Sequence, residues 1–201
     1  KIVGVGAGFS YGASSMTHYA LEDVAVMRAL PNMTVLSPGD PFEAEHALEA
    51  ALETDGPFYI RIGKKGEPVL HPAKTPFLVG KGIVLKPGKD VSLIATGNML
   101  ENSLKAAGLL EKDGLSAEVV SMHTLKPIDR GLIENRAGKF PWIFTIEEHS
   151  TTGGLGSAVA EVLASCPDSF ARFERLGVDR AYTEYVGSQE YLRRKFGLSA
   201  D

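Results

Sequence analysis

Apolar runs alternate along the chain with segments whose apolar positions recur every three or four residues. That alternation predicts parallel strands joined by helical crossovers. Residues 1–5, Lys1-Ile2-Val3-Gly4-Val5, read as a strand. Over residues 17–30, Leu21, Val24, Ala25 and Met27 recur at helical spacing, which predicts a helix stopped by Pro31-Asn32. Met33 to Leu36 reads as a short strand, and the turn Ser37-Pro38-Gly39-Asp40-Pro41 leads into a helix over 42–54 with glutamates early, where a helix N-terminus favours them. Asp55-Gly56-Pro57 ends it, and Phe58-Tyr59-Ile60-Arg61-Ile62 is the next strand.

From Gly63 to Asp90 the pattern changes, with Lys, Pro and Gly dominating and only short apolar runs at 77–79 and 83–85. Val91 to Ala95 then reads as a strand buried on both faces, followed by a helix over 99–112. The alternation continues with strands at 117–122, 142–146 and 170–176 and helices at 129–137, 155–164 and 188–196. The expected fold is α/β: two three-layer domains with mostly parallel sheets, the first one incomplete at its N-terminus because a strand begins at Lys1.

Composition narrows the function classes. Apolar residues make up 44% and charged residues 23% of the 201, as in an ordinary globular chain. No apolar run approaches the roughly 20 residues of a membrane span, so no membrane partner is expected. The net charge of −4 is spread without a Lys/Arg block, which argues against a nucleic-acid partner. Cys166 is the single cysteine, which excludes an intrachain disulfide and fits a reducing, cytoplasmic setting.

Several short patterns could carry chemistry. Gly4-Val5-Gly6-Ala7-Gly8 could turn backbone N–H groups toward an anion, but its spacing departs from the dinucleotide fingerprint, and a tight turn is the simpler reading. Gly153-Gly154-Leu155-Gly156 opens a helix and lacks a third spaced glycine, since Val159 stands there; close helix–strand packing accounts for it. His18 falls in the first turn of the predicted helix 17–30, where the dipole disfavours a cation and leaves a neutral ring able to donate to a developing oxyanion; a capping or solvated role is the plainer alternative. His46, His71 and His123 have no partner at metal-ligand spacing. Glu147-Glu148-His149-Ser150 ends a predicted strand, a place suited to acid–base work, with polar satisfaction at an interface the favoured reading. Lys64 and Lys65 close another strand, as phosphate-holding cations or as a solvated pair.

In order, Thr17-His18-Tyr19, Leu21-Glu22-Asp23, Arg28-Ala29-Leu30-Pro31-Asn32, Ser37-Pro38-Gly39-Asp40, Ala95-Thr96-Gly97, Leu125-Lys126-Pro127-Ile128-Asp129 and Glu147-Glu148-His149-Ser150 with Gly153-Gly154-Leu155-Gly156 follow a recognisable pattern. The chain resembles the C-terminal half of the transketolase family over nearly all its length. The wider superfamily includes deoxyxylulose-phosphate synthase and the β subunits of 2-oxoacid dehydrogenases. The Thr-His pair and the Ser-Pro-Gly-Asp turn favour transketolase proper, of the type split into two subunits.

The resemblance implies that residues 1–72 are the later part of a pyrimidine-binding domain, 73–89 a linker, and 90–201 the transketolase C-terminal domain. It implies a catalytic role for His18, as the histidine that hydrogen-bonds substrate oxygen. It implies substrate contacts from Lys64, where the family carries a phosphate-binding arginine, and from Ser14, where the family carries an acid that reads a donor hydroxyl. Ser14 and Lys64 both depart from the family's residue type, so the sugar selected is expected to differ. Thiamin diphosphate and Mg²⁺ are implied for the full assembly, with no binding expected from this chain alone and no metal ligand assigned in it. The implied partners are an N-terminal section or subunit carrying the diphosphate-binding domain, further copies in a homo- or hetero-oligomer, and a sugar or sugar phosphate. The reaction implied is transfer of a two-carbon ketol unit between a ketose and an aldose; a non-catalytic assembly module of the same fold is the alternative from another class.

Overall fold

The computed structural model describes residues 1–166, 171–179 and 183–201. Its elements follow one another as β1 (Ile2–Val5), α1 (Asp23–Ala29), β2 (Thr34–Leu36), α2 (Pro41–Glu53), β3 (Phe58–Ile62), β4 (Ile83–Lys86), β5 (Val91–Ala95), α3 (Leu100–Lys112), β6 (Ala117–Ser121), β7 (Thr124–Lys126), α4 (Arg130–Ala137), β8 (Trp142–Ser150), α5 (Leu155–Leu163), β9 (Arg172–Val178) and α6 (Gln189–Lys195). Phe170, the first residue of the strand expected at 170–176, lies outside the described residues.

The strands form two sheets, ordered β1-β3-β2-β7 and β4-β6-β5-β8-β9. Within the first, β1 and β2 both run parallel to β3, and β7 closes the sheet antiparallel to β2. Within the second, β5, β6, β8 and β9 are parallel and β4 is an antiparallel edge. The architecture is therefore α/β with two mostly parallel sheets. Strand β7 was not foreseen: the Thr124-Leu125-Lys126 stretch follows a strand of the second sheet, yet it pairs with the first. The short run at 83–85 becomes β4 of the second sheet.

The helix predicted over 17–30 forms only from Asp23 to Ala29. Ala20 is drawn out of helical geometry by two reciprocal backbone hydrogen bonds with Gly8, 3.1 Å each, and the Leu21 carbonyl accepts from the Ser150 N–H at 2.8 Å. Tertiary pairing thus overrides a helical spacing that Leu21 and Val24 satisfy simply by both being buried. Helix α2 forms as expected. The Asp40 carboxylate caps it by accepting from the Glu43 N–H at 2.9 Å, while Glu43 reaches back to the Gly39 N–H at 2.7 Å, a reciprocal cap of the kind that satisfies two orphan donors. Strand β8 continues past Ile146, where the apolar run ends, because Glu147, Glu148 and His149 are buried and hydrogen-bonded.

The core does not stop at the boundary between the sheets. Val24, Met33, Val35 and Tyr59 from the first half pack in one cluster with Ile94, Val120, Met122, Ile133, Ile143 and Val159 from the second. At the other edge of the first sheet, Ile2, Val3 and Val5 of β1 are about half exposed. No helix among the described residues is long and apolar enough to cross a membrane.

Candidate substrate site

The C-terminal ends of parallel strands carry ligand sites because loops there converge beyond the sheet. At the ends of β1 and β3 two such loops meet. The first leaves β1 through Gly6 and Ala7, whose N–H groups both donate to the Ile62 carbonyl at 3.0 Å, so these amides are spent on the strand beside them and form a tight turn. The Gly8–Ala20 pairing then closes the base of a loop over residues 9–19. Two short 3-10 turns lie inside it, Gly12–Ser14 and Met16–His18, joined by Ser15 at φ 70°, ψ −179°. A non-glycine residue in that region costs on the order of 1–3 kcal/mol and persists only where its surroundings impose it.

Ser14 and His18 are both exposed on this loop, and Thr17 Oγ1 lies 3.0 Å from His18 Nδ1. His18 ends a 3-10 turn and does not open an α-helix, so the dipole argument for its ring has no helix to act through. What the loop offers instead is an accessible imidazole held by a neighbouring hydroxyl.

The second loop, after β3, carries Lys64 and Lys65. Lys64 Nζ lies 5.2 Å from the centre of the Tyr11 ring, which joins the two loops through a cation–π contact. Beneath the lysines is a cleft of about 250 Å³ lined by Gly39, Asp40, Ile62, Lys64, Lys65 and Asn98 among others. The structure thus brings Lys64 to the cleft and to the 9–19 loop, whereas Ser14 and His18 do not line the cleft. A larger groove of about 510 Å³ lies against α3, with Leu93, Phe144, Ile146 and Leu176 in its walls. Its apolar walls hold none of these charged groups, and size alone does not make it the site of polar chemistry.

Behind the loops is a buried polar junction built from both halves. Arg61, a charge inside an apolar strand, is buried; its Nε donates to Asp23 Oδ2 at 2.9 Å and its Nη2 to the carbonyls of Ala20 at 2.7 Å and Glu148 at 3.0 Å. The Tyr59 hydroxyl donates to the same Asp23 oxygen at 2.6 Å. Burial works against the Asp23 charge, but the Arg61 guanidinium and the Tyr59 hydroxyl hold its carboxyl below the usual range. Burial, with Arg61 nearby, pushes the His149 imidazole down to about 4, so it is neutral at pH 7.

The two glutamates of β8 face different tasks. Glu147 accepts from the N–H groups of Leu155 at 2.7 Å and Gly156 at 2.8 Å and so caps α5. Burial lifts its carboxyl to about 7 even though both bonds favour the charge. Glu148 accepts from the Phe9 N–H at 2.6 Å, from Gln189 Nε2 at 2.7 Å and from Arg193 Nε. Glu148 thus joins the two halves, the interface role favoured from the sequence, whereas Glu147 is spent within its own half on α5. Arg61, Asn98, Gln189 and Arg193 were not singled out there; an arginine inside the run Phe-Tyr-Ile-Arg-Ile was the one legible sign among them.

Among the described residues no group of three or more His, Cys, Asp or Glu side chains could hold a metal ion.

Two mostly parallel sheets with a cleft at the strand ends define an α/β protein. Residues 1–67 match the family described as transketolase, pyrimidine binding domain, and residues 80–201 match transketolase, C-terminal domain. The chain therefore belongs to the transketolase family, as a C-terminal section of it. It is 35% identical to a putative transketolase C-terminal section from Methanocaldococcus jannaschii, covering 100% of this chain and 63% of that protein. It is 39% identical to the 6-deoxy-6-sulfo-D-fructose transketolase subunit SqwH of Clostridium sp. (strain MSTE9), covering 100% of this chain and 61% of that protein. Among solved structures, a split-gene transketolase described as an inactive beta4 tetramer is 41% identical with a TM-score of 0.86, covering 99% of this chain and 62% of its own. The chain spans 61–63% of the length of these relatives.

Proposed function

We propose that this chain is the C-terminal part or subunit of a thiamin-diphosphate-dependent transketolase that moves a two-carbon ketol unit from a ketose to an aldose. Residues 1–72 serve as the later part of the pyrimidine-binding domain, 73–89 as linker and 90–201 as the C-terminal domain. The observation that carries the reading is the contact between Tyr11 of the 9–19 loop and Lys64 at the C-terminal ends of β1 and β3, where Lys64 also lines the cleft. The cofactor and its Mg²⁺ supply the carbon–carbon bond chemistry when bound, and a partner section with the diphosphate-binding domain holds them. The half-exposed apolar residues of β1 support packing of further polypeptide along that edge. Assembly takes place in the cytoplasm as a homo- or hetero-oligomer.

Within that site His18 donates a hydrogen bond to a substrate oxygen as charge builds on it, a geometry suited to an exposed imidazole on a loop. Lys64 holds the anionic end of a sugar phosphate as a point charge, and Ser14 meets a donor hydroxyl.

The test is reconstitution with the N-terminal section, followed by assays with ketose, pyruvate and branched oxoacid donors. Ketose should be the donor consumed, and His18→Ala should lower turnover by more than about tenfold. Turnover unchanged by His18→Ala removes that residue from the mechanism, and pyruvate-only activity replaces transketolase with a synthase.

A further inference from the structure

We infer that Glu148, a side chain of the second half, is a positioning residue for the substrate loop of the first. This inference rests on the reading of His18 above and assigns the second half a part in that site.

The loop over residues 9–19 is held at its base. Glu148 Oε1 accepts from the Phe9 N–H at 2.6 Å, where the loop begins. Arg61 donates to the Ala20 carbonyl, where the loop ends, and with the same nitrogen to the Glu148 carbonyl. Both ends of the segment carrying Ser14 and His18 are therefore tied to one residue of β8, directly at one end and through Arg61 at the other. Gly8 shows how closely they pack: it sits at φ +59°, and a Cβ there would come 2.4 Å from Glu148 Oε1. The loop base is moulded on the carboxylate, and only glycine permits the approach.

The carboxylate is itself fixed. It is fully buried, and Arg193 Nε from α6 binds Oε2, while Gln189 Nε2 and Asn98 Nδ2 donate to Oε1 at 2.7 and 3.2 Å. A buried carboxylate with its charge paired and its lone pairs used has few ways to move. Asn98 also lines the cleft below Lys64, and Arg193 Nη2 donates to the Asn98 carbonyl at 3.1 Å. One carboxylate thus sets the position of the histidine loop and of a wall of the cleft relative to each other.

A purely stabilising residue and a positioning residue differ in a double-mutant cycle. Glu148→Gln keeps the side chain's shape but sets an amide NH₂ among donors. In the reconstituted enzyme it should lower turnover about tenfold or more, with the donor KM changed less than about threefold. In a His18→Ala background the same substitution should cost less than about twofold, because the loop it positions no longer carries the acting group. Wild-type turnover for Glu148→Gln, or an equal loss in both backgrounds, overturns the inference. If circular dichroism shows that Glu148→Gln does not fold, Gln189→Ala, which removes one donor from Oε1, replaces it in the cycle. A loss of about threefold that vanishes without His18 supports the inference, and no loss or an additive one overturns it. A silent His18→Ala defeats the underlying reading of the site, whereas an effective His18→Ala beside a silent Glu148→Gln defeats this inference alone.

Discussion

His71 illustrates how far one residue's chemistry can depart from what its neighbours in sequence suggest. It lies in the proline-rich stretch between the sheets, buried, with Nδ1 2.9 Å from Asp40 Oδ2 and Nε2 3.1 Å from Glu43 Oε1. Glu43 Oε1 also accepts from the Ser121 hydroxyl at 2.6 Å, which ties this group to β6. Burial pushes the imidazole down, but the hydrogen bond to Asp40 and the adjacent Glu43 carboxylate outweigh it and raise it to about 9, while Asp40 falls to about 2. A raised histidine contributes stability fully below its unfolded value of 6.5, and that contribution is lost as pH climbs through about 9. Urea midpoints should therefore decline over this window by an amount equivalent to about 2–3 kcal/mol. His71→Gln should flatten the decline, and an unchanged slope would refute the assignment. The sequence put His71 in the Lys-, Pro- and Gly-rich stretch after Gly63, without a metal-ligand partner; its carboxylates lie about thirty positions earlier, a distance that no local pattern reports.

Among elements, what could be read was whatever local periodicity controls. Helices α2, α3 and α5 and strands β3, β5 and β6 follow the apolar spacing closely, since each buries a face or runs through the interior. The segment 17–22 could not be read that way, because its backbone partners, Gly8 and Ser150, are remote. His18 was singled out by residue type and family pattern, while its real setting, the end of a 3-10 turn, was hidden by the same remote pairing. The glycines before α5 were legible as packing, and the contact distances support it. A Cβ on Gly154 would fall 1.9 Å from Glu147 Oε2 and 2.7 Å from His149 Nδ1. Gly154→Ala should displace the Glu147 cap and destabilise the protein by about 1–3 kcal/mol, measured by chemical denaturation. A variant as stable as the parent would show that the carboxylate can step aside without cost.

For the whole molecule, the shared core and the buried polar junction predict joint behaviour of the two sheets. Fluorescence of Trp142, the single tryptophan, on β8, should change together with far-UV dichroism in one urea transition. Separate transitions would mean that the apolar cluster spanning the sheets couples them weakly. The change in composition after Gly63 led to the expectation of two domains; the coupling of the sheets was not legible, because it depends on β7 leaving one sheet for the other.

That loan of a strand bears on where such a polypeptide can be divided. The gap between the two matched families, residues 68–79, has the composition of a linker and invites a cut. A break there would leave β2 with an unpaired edge in one fragment and β7 without its sheet in the other. The halves would have to meet before either finished folding. A gene split at that point would encode two fragments that depend on each other, not two independent modules.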